Sequence, residues 1–313
     1  MATALGVATG FAVSAFLSWL AVLAGTRLGV IDLPDGQLKT HTGSPVPLGG
    51  AALMGAIHTG LLVSGGFDPG LLLATTLVFV MGLVDDIRGL SPRVRLAGAV
   101  LAAISLVVTS SVADGLISGL AGVALVVIAM NAVNLFDGLD GLASSVTAVG
   151  FGALGLLGFV VGIADPWLPL VMTGALAGVL LFNWPPARLY LGDNGAYVVG
   201  MALAWAVLHS ASDWGEGLVA AALIGVPLID LAVTVARRLR ERRPLFTGDR
   251  DHTYDRLNRR LSTTSGVVVT MALLQLSWAG SVLLVVAIWG TAIAVTFAVA
   301  AGLALVGAGW VSR

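Results

Sequence analysis

Apolar residues fill this chain in long runs separated by short polar stretches. The runs lie at roughly residues 4–25, 47–64, 69–84, 94–111, 118–134, 142–163, 167–183, 196–211, 217–236, 266–286 and 288–309. Each approaches the roughly 20 residues that a helix needs to cross hydrocarbon. The pattern predicts an all-α, polytopic integral membrane protein with about eleven transmembrane helices, built as a single domain over residues 1–313. No basic residue precedes the first run and Arg27 follows it. That is the reverse of a secretory signal, so the run reads as a retained helix.

Composition changes the picture in one respect. A length of 313 residues would suggest about two soluble domains, but 58% hydrophobic residues and a mean hydropathy of +0.98 override that reading. A net charge of -1 offers no field for nucleic acid, which is excluded as a partner. Cysteine is absent, so disulfides, thiolate metal sites and a cysteine nucleophile are excluded. Any metal must then be held by oxygen or imidazole, which favours Mg²⁺, with Mn²⁺ as the alternative.

Charge placement predicts orientation. With eleven crossings, Arg27, Lys39, Arg88, Arg93, Arg95, Arg188 and the arginines from Arg237 to Arg260 all fall on one side. The opposite loops carry Asp68, Asp114, Asp165, Asp213 and Glu216. The positive-inside rule makes the basic side cytoplasmic. The N-terminus is then outside and the C-terminus cytoplasmic, in the plasma membrane.

Three acidic, glycine-bearing segments stand at run edges on that cytoplasmic side: Gly82-Leu-Val-Asp-Asp-Ile-Arg-Gly-Leu90, Asn134-Leu-Phe-Asp-Gly-Leu-Asp-Gly-Leu-Ala143 and Leu191-Gly-Asp-Asn-Gly-Ala-Tyr197. Each alone reads as a polar turn or helix cap. Together they read as parts of one site, because carboxylates at a membrane edge are costly. Asp85 and Asp86 are adjacent, so on a helix they point about 100° apart and need not share a ligand. Asp137 and Asp140 can share a face, with Asn134 supplying an amide nearby. Asp193 lies between small residues and suits a hard cation. Ser91 and Pro92 restart a helix as cap and first residue, placing Arg93 and Arg95 at the membrane surface.

Other polar positions are less decisive. Lys39 and His41 could meet a phosphate, although alone they read as an ordinary basic loop. Asp230 lies inside the ninth run and reads as structural. The loop Arg237–Arg260 is dense with arginine and holds His252 and Arg256. It reads either as a patch for anionic lipid or as a clamp on a polyanionic soluble substrate.

Carboxylates, a metal and arginines at a membrane edge suit phosphoryl transfer between a soluble and a lipid substrate, both anionic. The three segments, in this order, resemble the motifs of the polyprenyl-phosphate N-acetylhexosamine-1-phosphate transferases. The Asp85–Asp86 stretch resembles that family's aspartate-pair motif, and the Asn134–Ala143 stretch its most specific one. Gly192-Asp-Asn-Gly195 resembles a metal-binding motif usually written Gly-Asp-Thr/Ser-Gly. The chain departs at Asp251-His-Thr-Tyr-Asp-Arg256, where the family usually carries several histidines; this argues against the lipid I-forming translocase.

The resemblance implies transfer of a sugar 1-phosphate, with GlcNAc leading, from a UDP-N-acetylhexosamine to polyprenyl phosphate, releasing UMP. The implied catalytic residues are Asp85, Asp86, Asp193 and His252. The metal would lie on Asp193 with Asp85 or Asp86. Substrate would be bound by Lys39, Arg93, Arg95, Asn134, Asp137, Asp140 and Arg256. Besides donor and acceptor, the expected partners are membrane lipids and a second copy of the chain. Three other classes compete. A membrane prenyltransferase would need Asp-Asp-x-x-Asp, but position 89 is Gly. A CDP-alcohol phosphotransferase would need an arginine after Asp140-Gly141. A transporter would use charges within the membrane.

Overall fold

The computed structural model describes residues 2–32, 44–64, 68–110, 115–161, 166–244 and 251–311. They form α1 (Ala2–Leu28), α2 (Gly49–Ser64), α3 (Pro69–Arg88), α4 (Pro92–Thr109), α5 (Leu116–Phe136), α6 (Leu142–Val161), α7 (Trp167–Asn183), α8 (Gly192–His209), α9 (Trp214–Ala222), α10 (Gly225–Arg240), α11 (Thr253–Leu261), α12 (Thr264–Trp289) and α13 (Thr291–Val311). Among the described residues the only β pairing is an isolated parallel bridge between Val46 and Leu189.

Among the described residues every apolar run is helical over most of its length, and the chain is polytopic and all-α. Length and composition alone support fewer crossings among the described residues than the expected eleven. Seven helices (α1, α3, α4, α5, α6, α12 and α13) are long and apolar enough to cross a membrane, and eight crossings result if α9 and α10 count as one. α2 and α7 are apolar but only 16 and 17 residues long, and α8 opens on Asp193 and Asn194.

The ninth run is not straight: α9 and α10 meet at 85°. Gly225 is a poor helix former and Pro227 has no N–H to continue the ladder. The backbone groups freed at the bend are met from α12. Gln275 donates to the Leu223 carbonyl (2.6 Å) and accepts from the Val226 N–H (2.9 Å), while the Trp278 indole donates to the Ala222 carbonyl (2.7 Å). In hydrocarbon, non-helical backbone persists only where protein satisfies it in this way.

The middle of the structure is α8, buried at every position from Asn194 to Val207. Its apolar and small residues run all round the helix, as burial on every side requires, and it packs on α2, α3 and α5. Gly82 sets its distance from α3: a Cβ there would stand 2.4 Å from the Asn194 Cα. This approach brings the turn of α3 bearing Asp85 and Asp86 against the first turn of α8.

At the other end of α3, Asp68 caps the helix by accepting from the Leu71 N–H (2.9 Å) and also accepts from Ser110 (3.0 Å) and the Trp205 indole (2.6 Å). One carboxylate thus ties the ends of α3, α4 and α8. Helix α4 starts as its sequence expects, with Ser91 as cap and Pro92 first.

Candidate active site

The three acidic segments converge. They open onto one cavity of about 630 Å³ at the ends of α3, α5 and α8, closed on a further side by α11 and the start of α12. Its wall carries seven carboxylates, Asp32, Asp85, Asp86, Asp137, Asp140, Asp193 and Asp255, and Arg95 is the one arginine lining it among the described residues. So large an excess of acidic groups in a concave site attracts cations and repels other anions.

Asp85 is buried, and its oxygens are in use. It accepts from the Leu90 N–H (2.7 Å) and from the Tyr197 hydroxyl (2.9 Å), and pairs with Arg95 at 2.7 Å. Arg95 also donates to the Leu90 carbonyl (3.1 Å). Asp86 caps α8: its carboxylate accepts from the N–H groups of Asp193 (2.9 Å) and Asn194 (3.1 Å) and from the Asn194 amide (2.5 Å). Gly192, at φ 72°, makes the left-handed turn into this cap. Asn194 also donates to the Pro47 carbonyl (2.8 Å) and accepts from the Gly50 N–H (2.9 Å), clamping α2 to α8. Both members of the aspartate pair therefore fix backbone around the cavity.

Asp193 is held from α5. Asn134 donates its side-chain amide to one carboxylate oxygen, so Asn134 positions Asp193 rather than standing free for a substrate. Asp137, the C-cap of α5, donates its backbone N–H to the Asn134 carbonyl (3.3 Å), while its carboxylate makes no hydrogen bond among the described residues and lines the cavity. Burial, then the charges of Asp193, Asp86 and Asp140, push its carboxyl well above the usual carboxylate range. Asp140 accepts from the Ala187 N–H (2.9 Å) and hydrogen-bonds Tyr190. Burial, with the nearby negative charges, raises the pKa of that tyrosine hydroxyl.

Asn183 completes the frame. It accepts from Gly141 (3.1 Å) and Ser144 (2.8 Å) and donates to the Leu189 carbonyl (2.9 Å), joining the Asp140 turn to the segment that carries Tyr190.

Asp230 and His252 meet inside the protein. One Asp230 oxygen takes His252 Nδ1 at 2.8 Å, and the other takes the Thr253 N–H at 2.9 Å. His252 is 3% exposed, lies 3.3 Å from the Thr234 hydroxyl and is absent from the cavity wall. Its visible work is to seat α11 on α10. Arg256 makes a two-point pair with Asp251 (3.0 and 2.9 Å), which Arg237 and Arg259 also approach at 3.2 and 3.4 Å. Burial opposes ionisation of Asp251, but the Arg256 hydrogen bond and the three guanidinium charges outweigh it, and its pKa falls below the ordinary value. Arg256 and the exposed Arg93 stand off the cavity wall. Lys39 and His41 lie outside the described residues.

The structure thus brings Asp85, Asp86, Arg95, Asn134, Asp137, Asp140 and Asp193 together and leaves His252, Arg93 and Arg256 outside the cavity. Sequence reasoning missed Asp32, Asn183, Tyr190, Asp255 and Asn258. Tyr190 and Asn183 flank a quoted motif, but only the fold shows that they face it.

A divalent cation fits the donor set. Among the described residues no three acidic or histidine side chains form a complete metal cage. Mg²⁺ does not need one, since it takes one or two carboxylates and fills its octahedron with water and phosphate oxygens. The bare carboxylate of Asp137 and the Asn134-held carboxylate of Asp193 repel each other across the wall, and a cation relieves that repulsion.

Residues 69–211, which contain all three of these segments, match the glycosyl transferase family 4 pattern. The resemblance read from the motifs stands. Among curated relatives the chain is 34% identical to a putative glycosyltransferase of Streptomyces coelicolor over 83% of its own length and 64% of the relative's. It is 27% identical to a decaprenyl-phosphate N-acetylglucosaminephosphotransferase of Mycobacterium tuberculosis, over 75% of this chain and 70% of that one. It is 26% identical to an undecaprenyl-phosphate alpha-N-acetylglucosaminyl 1-phosphate transferase of Thermotoga maritima, over 83% and 84%. The chain therefore spans just under two thirds of the length of the Streptomyces relative.

Proposed function

We propose that this protein transfers an N-acetylhexosamine 1-phosphate, GlcNAc-1-phosphate first among them, from a UDP-sugar to polyprenyl phosphate, releasing UMP. The observation that carries the reading is the convergence of the three acidic segments on one cavity at helix ends. The printed activities of the mycobacterial and Thermotoga relatives support it. An oxygen of the lipid phosphate attacks the sugar-linked phosphorus of the donor. A P–O bond forms there, and the bond to the bridging oxygen breaks, its electron pair leaving with UMP.

When bound, Mg²⁺ or Mn²⁺ neutralises the donor diphosphate and the charge developing on the leaving group. Asp193, held by Asn134, would ligate it, with Asp137 the neighbouring carboxylate. Asp86 holds the first turn of α8, and Asp85 orients Arg95 towards the acceptor phosphate. Tyr190, the one aromatic ring on the wall among the described residues, offers a stacking face to the base, and Asp140 accepts from nucleoside hydroxyl or N–H groups. Because the lipid phosphate is already an anion, no strong base is required.

In the membrane, α2, α7, α8 and the bent α9–α10 pair complete eleven crossings, with the cavity on the cytoplasmic side. The test is UMP release from UDP-GlcNAc by the purified chain. Release that depends on both polyprenyl phosphate and Mg²⁺ supports the reading, and its absence with every UDP-N-acetylhexosamine sinks it. Exchange of labelled UMP into UDP-sugar without acceptor would replace direct attack by an aspartyl-phosphate route.

A further inference from the structure

Asp85 and Asp86 are neighbours on α3, and each is met by a different side chain of α8. Asn194 donates to Asp86, and Tyr197 donates to Asp85. These two residues stand three apart and so share one face of α8. The Asn194 contact belongs to the helix cap. No role above uses the Tyr197 contact.

Tyr197 is buried and absent from the cavity wall. Its hydroxyl donates to Asp85 Oδ2 at 2.9 Å, and the same oxygen takes Arg95 Nε at 2.7 Å. The other oxygen, Oδ1, accepts from the Leu90 N–H, and the Leu90 carbonyl accepts from Arg95 Nε. Asp85, Leu90 and Arg95 thus close a ring across the turn between α3 and α4. Among the described residues, Tyr197 is the one side chain from a distant part of the chain that hydrogen-bonds to this ring.

Arg95 needs an anchor of this kind. It stands in the first turn of α4, where the positive end of the helix dipole repels a guanidinium. Both of its contacts use Nε, and its two terminal nitrogens hydrogen-bond to no described residue. Those nitrogens form a planar fork that matches phosphate oxygens. The direction of the fork follows from how Asp85 holds Nε.

The frame for Asp85 is α8. Tyr197 lies four residues after Asp193, on the same face of that helix. One helix therefore carries both the proposed metal ligand and the hydroxyl that holds Asp85. Transfer between two bound phosphates requires the attacking oxygen to approach in line, and a misplacement of about 1 Å costs up to roughly a hundredfold in rate.

We propose that Tyr197 is a positioning residue, on the basis of the function proposed above: through Asp85 its hydroxyl fixes the Arg95 fork relative to Asp193, and so sets where the acceptor phosphate stands against the donor.

The experiment uses the full-length chain in detergent and measures UMP release with polyprenyl phosphate and UDP-GlcNAc varied in turn. Tyr197→Phe keeps the buried ring and leaves Asp85 with Arg95 and the Leu90 N–H, so the unfolding temperature stays near wild type. Its kcat/KM for polyprenyl phosphate is expected to fall roughly tenfold, as for a lost hydrogen bond to a charged group. The KM for UDP-GlcNAc stays at the wild-type value. In an Arg95→Lys chain, which keeps a counter-charge for Asp85 but lacks the fork, the same substitution is expected to add less than about twofold. The hydroxyl then has no fork to aim, whereas a residue that merely fills space gives losses that multiply. Multiplied losses, a wild-type kcat/KM for the acceptor in Tyr197→Phe, or a rise in donor KM that accounts for the loss would overturn the proposal while the transferase reading stands. A Tyr197→Phe chain that does not fold would overturn it too, since the hydroxyl would then serve the fold. A wild-type chain that releases UMP from no UDP-N-acetylhexosamine would remove the transferase reading and this one with it.

Discussion

Asp193 is one carboxylate among many on the cavity wall, and its surroundings set it apart. Asp85 and Asp86 have their oxygens committed to backbone N–H groups, a tyrosine and an arginine. Asp193 is gripped on one side by Asn134, which leaves its other oxygen to the cavity. Asp193→Asn keeps the size and the hydrogen-bonding shape but removes the charge. Turnover should fall by roughly three orders of magnitude, equivalent to the several kcal/mol that a bound metal supplies to a phosphoryl transition state. Thermal unfolding and acceptor binding should stay near wild type. Activity within a few fold of wild type would exclude Asp193 as the metal ligand. The neighbouring roles could be read only in part from the sequence. That Asp137 and Asp140 face one site follows from their spacing, but that Asn134 serves Asp193 requires contact across 59 positions of chain.

At the scale of elements, the α3–α8 contact decides whether the site exists. Any side chain at Gly82 enters the backbone of the first turn of α8, and backbone cannot yield as a flexible side chain can. Gly82→Ala should therefore destabilise by about 1–3 kcal/mol and lower activity further by displacing Asp193. Gly280→Ala, where no atom lies within 4 Å of the new Cβ, should do neither. Comparing the two variants by thermal unfolding in detergent and by UMP release checks this.

The Asp251 cluster gives a pH dependence at the same scale. Its carboxyl has a depressed pKa in the folded state, so its pairing with Arg256 stabilises the protein above the ordinary carboxylate pKa of about 4 and is lost as pH falls through the lower folded value. An Asp251→Asn chain should lose stability near neutral pH and lose less than wild type on acidification. Parallel unfolding curves for the two chains down the acid limb would refute the assignment. The seat of α11 was hidden in the sequence because Asp230, inside an apolar run, shows no sign of a partner 22 positions away.

For the whole molecule, the charge asymmetry of the loops makes a topological prediction that this cysteine-free chain is well suited to test. A single cysteine placed at Ser212, between α8 and α9, should react with a membrane-impermeant maleimide added to intact cells. One at Ser262, between α11 and α12, should react only after permeabilisation. The reverse pattern would invert the orientation and put the acidic cavity outside.

The run lengths, the overall hydropathy and the three acidic motifs follow from composition and spacing. These are local properties: hydrocarbon demands apolar helices, and carboxylates at their edges mark a site. From the sequence alone came the all-helical membrane class, the expectation of phosphoryl chemistry and five of the seven carboxylates now found on the cavity wall. The tertiary structure decided the rest. It bent the ninth run, because Gln275 and Trp278 from a distant helix satisfy the broken backbone. It made α8 the buried centre rather than one crossing among others. It turned His252 inward onto Asp230, and it placed Asp255 and Asn258 on the wall. Each of these depends on contacts between segments far apart in the chain, which helix packing creates and no local pattern encodes.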